Sequence, residues 1–116
     1  MIRTATALIL LAAPALADPA EITNVNVTRA GDAWQFDVTV AHPDTGWDHY
    51  ADGWEVRAPD GTVLGTRPLA HPHVNEQPFT RSLSGVVIPD TVAQVHVFVR
   101  DNLSGWGEEP VIIDLP

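Results

Sequence analysis

The chain contains no cysteine and no lysine, a single methionine at position 1 and a single tyrosine. Without cysteine there is no disulfide framework, no thiolate metal site and no thiol to carry a lipid. Without methionine beyond Met1, a cuprous thioether site is excluded as well. Long apolar runs are also missing. The most concentrated one, Ala7 to Ala13, is shorter than the roughly 20 residues that cross a bilayer as a helix. Positive charge is scarce: six arginines stand against fifteen acidic residues, for a formal net charge of −9. A surface this negative repels phosphate backbones and anionic lipid heads, which argues against nucleic-acid and membrane-surface partners. Its simplest meaning is solubility.

The opening segment has one positive charge at Arg3, the apolar run, and Ala15-Leu16-Ala17 before the acidic Asp18. That is the layout of a secretory signal peptide over residues 1–17. Its removal leaves residues 18–116 as one domain and moves the formal charge from −9 to −10 through loss of Arg3. The expected location is periplasmic or secreted, with release rather than a membrane anchor. Burial led by the four tryptophans must stabilise a domain of this size without staples.

Short alternating runs between turn signals recur along the rest of the chain, the pattern of an all-β sandwich or barrel. Seven strands are expected. The first runs from Glu21 to Arg29, with Val25 and Val27 inward. The second buries Trp34, Phe36, Val38 and Val40, and the third, Gly53 to Ala58, buries Trp54 and Val56 while exposing Glu55 and Arg57. Pro59-Asp60-Gly61 then signals a hairpin into a fourth strand, Thr62 to Arg67. The fifth is Phe79 to Val87, with a bulge expected at Gly85. The sixth carries Val95, Val97 and Val99 on one face, with His96 and Phe98 on the other, and the seventh is Val111 to Leu115.

Seven short strands, a core tryptophan on the third and a valine-rich sixth resemble the immunoglobulin and fibronectin type III class, which implies a seven-stranded antiparallel immunoglobulin-like sandwich. The inter-sheet cysteine pair and the sixth-strand tyrosine of that class are absent. The phrase His71-Pro72-His73-Val74-Asn75-Glu76-Gln77-Pro78-Phe79-Thr80-Arg81-Ser82, with Gly53-Trp54-Glu55-Val56 upstream, is similar to one in small uncharacterised exported bacterial proteins. That resemblance implies a domain unit in which the His-Pro-His loop matters, and no activity.

If successive strands reverse direction, the connections after strands two, four and six emerge at one end. They hold four of the five histidines, two of the four tryptophans, the only tyrosine and seven of the fifteen carboxylates. Loops on a rigid scaffold are where binding residues usually sit. His71 and His73 flank a proline; in an extended strand both imidazoles point the same way, whereas in a polyproline helix they diverge. A zinc or copper(II) site on them would draw further ligands from His49, Asp48 or Glu76. Calcium is the weaker alternative, on Asp44, Asp48, Asp52, Asp101, Glu108 and Glu109, because no EF-hand ladder is present.

Trp47, Tyr50 and Trp106, with Asp48 and Glu76 nearby, suit stacking on a sugar or peptide. The competing and preferred reading for the two tryptophans is that they cap the open end of the core. No catalytic residue is assigned: Ser82, Ser84 and Ser104 sit in no nucleophile motif. The leading expectation is an exported, non-enzymatic binding or accessory module whose partner is a small ligand or an envelope protein. The alternatives are a divalent metal-binding periplasmic protein centred on His71 and His73, a small hydrolase, and a purely structural envelope component.

Overall fold

Alternation of large apolar and polar side chains builds two antiparallel sheets that bury their apolar faces against each other. The computed structural model describes residues 19–116; the expected signal segment, residues 1–17, lies outside the described residues. The strands are β1 (Glu21–Ala30), β2 (Ala33–Ala41), β3 (Ala51–Arg57), β4 (Val63–Pro68), β5 (Phe79–Val86), β6 (Gln94–Asp101), β7 (Gly105–Trp106) and β8 (Val111–Asp114). One sheet has the order β1-β2-β5. In the other, β4-β3-β6 is extended by β7 and β8, which pair with successive stretches of β6. The protein is an all-β sandwich.

The expected faces of β2 and β6 are the observed ones. Phe36, Val38 and Val40 from one sheet, and Trp54, Val56, Val95 and Val97 from the other, are fully buried and meet Phe79 in one cluster. Trp34 closes it at the opposite end, with the Arg29 guanidinium 4.9 Å from its ring. The Gly85 bulge is present: Trp34 faces Val86 and Phe36 faces Leu83, so two residues of β5 oppose one of β2. Gly85 takes φ 71° there, a left-handed conformation that costs glycine nothing.

Two features differ from the sequence reading. Among the described residues there are eight strands and not seven, because Gly105–Trp106 folds back on Arg100 and Asp101. A two-residue strand has no alternation to read. Glu55 is buried rather than exposed: Arg57 pairs with its carboxylate, and the Thr66 hydroxyl donates to it at 3.4 Å. On this same outer face the Arg57 guanidinium lies 4.0 Å from the Phe98 ring and 5.1 Å from Trp106, with Arg100 5.5 Å from Trp106. Stacked cations and rings therefore cover a face that would otherwise be open to water.

Candidate functional site

The period-two alternation that buries the valines of β2 and β6 continues past them. Two residues beyond Val40 comes His42, and two beyond Val99 comes Asp101; both side chains turn inward and are buried, Asp101 at 1% exposure. They come from different sheets and meet at the loop end of the core. A polar pair in this position requires partners, because an unsatisfied buried polar group costs about 1–3 kcal/mol.

Asp44 supplies part of the answer. Its Oδ1 accepts from His42 Nδ1 at 2.6 Å and from the Ala51 amide at 3.0 Å, while its Oδ2 accepts from the His73 amide at 2.8 Å. One buried carboxylate thus ties the segment after β2 to the start of β3 and to the connection between β4 and β5. Gln77 adds a second tie: its Oε1 accepts from the His42 amide and its Nε2 donates to the His73 carbonyl, both at 2.9 Å. Asn102 locks the third loop. Its Oδ1 accepts from the Tyr50 amide at 2.9 Å, and its Nδ2 donates to the carbonyls of Trp47 and Asp48 at 3.1 and 3.2 Å.

At the centre, His42 Nε2 lies 3.1 Å from His49 Nε2, and His49 Nε2 lies 3.4 Å from Asp101 Oδ1. The two rings meet edge to face, with centroids 4.5 Å apart. A carboxylate accepts, so the short bond to Asp44 places the His42 proton on Nδ1 and leaves the Nε2 lone pair directed at His49. Asp101 Oδ1 also accepts from the amides of Leu103 and Ser104, at 2.9 and 2.7 Å, which fixes its carboxylate at the mouth of the third loop. His42, His49 and Asp101 each offer one ligand atom, and the three atoms lie within 4.8 Å of one another.

The other candidate residues are distributed around this floor. Trp47 is 65% exposed and meets the Tyr50 ring edge-on at 5.5 Å, so it does not cap the core. It follows Gly46, whose φ of 143° turns the chain outward. Asp48 is exposed beside it. Trp106 belongs to β7, against the outer-face arginines. Asp52 pairs with Arg100 at 2.8 Å, so the aspartates at 44, 48 and 52 do not converge on one point.

His71 is exposed and its ring centroid is 4.7 Å from that of His73, the two planes tilted by 36°. His73 is buried, stacked on Phe79 at 3.8 Å. Its Nε2 accepts from Arg81 Nη2 at 2.8 Å, since a guanidinium only donates. The same nitrogen of Arg81 is 3.2 Å from Glu76 Oε1. Burial, followed by the charges of Arg81 and His71, holds the His73 imidazole below the ordinary histidine value of 6.5. A metal at His73 Nε2 would have to displace the guanidinium.

Sequence reading placed His49 among the metal ligands but did not join it to His42 and Asp101. The signal was available, because both positions continue the inward phase of a core strand.

No protein-family model matches the chain. It is 38% identical over 96 residues to a "Putative lipoprotein" of Halomicrobium mukohataei, a match covering 82% of this chain and 47% of that protein. The chain thus spans about half the length of the curated relative it matches. Among solved structures it is similar to the hypothetical protein PH1083 from Pyrococcus horikoshii OT3, with a TM-score of 0.57 and 14% identity over 84% of this chain and 89% of that one. At that identity the likeness concerns the fold.

Proposed function

We propose that the protein is an exported, non-enzymatic binding or accessory module of the cell envelope or secreted fraction that works through its loop end. The observation that carries this reading is Trp47, a tryptophan 65% exposed to water on a loop whose backbone is held by Asn102. A large exposed ring on a pre-ordered backbone loses little entropy on binding and presents an anchor of the kind that dominates recognition surfaces. Tyr50, whose ring meets Trp47 edge-on, and the exposed Asp48 extend that surface. The likeness to a protein described as a lipoprotein supports an exported or envelope location, as does the signal-peptide layout of residues 1–17. The immunoglobulin-like reading of the sandwich and the His-Pro-His phrase belong to the same proposal, since both direct attention to loops at one end.

Two measurements test it. Mass spectrometry of the exported protein should find Asp18 at the N-terminus; an intact Met1 in the cytoplasmic fraction would contradict the location. Titration with soluble oligosaccharides and with unstructured peptides, read by tryptophan fluorescence, should show saturable binding to one class that Trp47→Ala weakens by about tenfold or more. Binding unchanged in that variant would remove the loop tip as the recognition surface.

A further inference from the structure

We infer that His42 Nε2, His49 Nε2 and a carboxylate oxygen of Asp101 form a binding site for a zinc ion. The inference does not depend on recognition at Trp47, because these ligand atoms lie beneath that surface and come from the ends of two core strands and the turn between β2 and β3.

Three observations converge on it. The first is spacing. Zinc bonds of about 2.0–2.1 Å in a tetrahedron place neighbouring ligand atoms about 3.3 Å apart; two of the three separations here are 3.1 and 3.4 Å, and all three atoms lie within 4.8 Å of one another. The second is orientation. His42 Nδ1 donates a hydrogen bond to Asp44 at 2.6 Å, the carboxylate–histidine arrangement that fixes the ring orientation and tautomer of a metal-ligating histidine. Asp44 is itself held by the Ala51 and His73 amides, so the orienting group is rigid.

The third is charge. Asp44 and Asp101 are buried at 5% and 1% exposure, and their ion-pair contacts are to histidines. Two buried carboxylates are costly without compensating positive charge. A divalent cation held between them would balance both.

The donor set selects the ion. Two imidazole nitrogens and one carboxylate suit a borderline cation such as zinc, whereas calcium and magnesium favour sets made of oxygen. His49 has 15% of its side chain exposed, so it is the ligand that water and an entering ion can reach. Three protein ligands leave a fourth position for water or for a donor group from a partner.

The test uses the chain after chelator treatment, with zinc chloride as the probe. Wild-type protein should retain one zinc per chain after gel filtration, and zinc should raise its melting temperature by mass action. His49→Ala removes a partly exposed ligand, and Asp101→Asn keeps an oxygen for the Leu103 and Ser104 amides. Each should weaken zinc binding by more than about 100-fold, while His71→Ala should leave it unchanged. Cobalt(II) on the unaltered chain supplies a readout that needs no variant: intense tetrahedral visible bands, abolished by one equivalent of zinc, are expected. Wild-type protein that retains no zinc, that loads copper(II) but not zinc, that shows only weak octahedral cobalt bands, or that loses zinc on His71→Ala and not on His49→Ala would overturn the assignment.

Discussion

The two ends of the sandwich are held by different kinds of bond. At the turn end most of the ties are local: the Gly61 amide bonds to the Ala58 carbonyl, the Thr62 amide to Asp60, the Val92 amide to the Pro89 carbonyl, and Arg29 Nε donates to the Gly31 carbonyl, while the Leu115 amide, bonded to the Ala93 carbonyl, makes a longer one. At the loop end they join residues far apart in the chain. Asp44 meets the His73 amide 29 positions on, Gln77 meets the His42 amide across 35, and Asn102 meets the Tyr50 amide across 52. Local turns order themselves one at a time. The loop end exists only once both sheets have come together, and the buried Asp44 with the less buried Gln77 and Asn102 ties its loops together. A site built this way is pre-ordered, which is what both recognition and metal binding require.

The difference between the ends can be broken most severely at Asp44. Asp44→Ala removes the carboxylate that accepts from two buried amides and from His42 Nδ1 and should lower stability by about 3–5 kcal/mol. Equilibrium urea unfolding measures it. Asn102→Ala frees only one loop from the same floor and should cost about 1–3 kcal/mol in the same assay, with the fluorescence of Trp47 becoming more mobile.

Acid should act on the loop end in a defined direction. His73 is held below 6.5 in the folded chain and not in the unfolded one. Its contribution is therefore complete above about 6.5, and is lost as the pH falls from there toward the lower folded value, where the unfolded chain binds the proton first. In His73→Phe, which keeps an aromatic ring against Phe79, the loss of melting temperature between pH 7 and pH 5 should be smaller than in the wild type; an equal loss would remove His73 as the cause. Trp47→Ala should change stability by no more than about 0.5 kcal/mol, since the ring is mostly in water. At the turn end, Asp60→Ala should shift the melting temperature less than either Asp44→Ala or Asn102→Ala. A turn-end effect as large as that of Asp44 would erase the distinction between the ends.

Strand faces were legible because alternation is a local property: Trp34, Phe36, Val38 and Val40 announce an inner face without reference to any other strand. Gly85 was legible as a bulge for the same reason. The floor of the site was half legible. Alternation carried two residues beyond Val40 and Val99 reaches His42 and Asp101, yet their polarity reads as the end of a strand, and only the closure of two sheets brings them together. His71-Pro72-His73 stands out in the sequence by its spacing and by the phrase it opens. The stack on Phe79 and the Arg81 guanidinium, which occupy His73, come from the following strand and are not encoded in that spacing. β7 escaped for a different reason: it is two residues long and exists because Asp101 caps the turn that precedes it.

The most direct measurement is a long-range proton–nitrogen spectrum of the imidazoles during a zinc titration of chelator-treated protein. The Nε2 resonances of His42 and His49 should shift together and reach their end points at one equivalent, while those of His71 and His73 stay in place. Movement of the His71 and His73 signals with His42 and His49 unchanged would contradict the assignment of the metal floor.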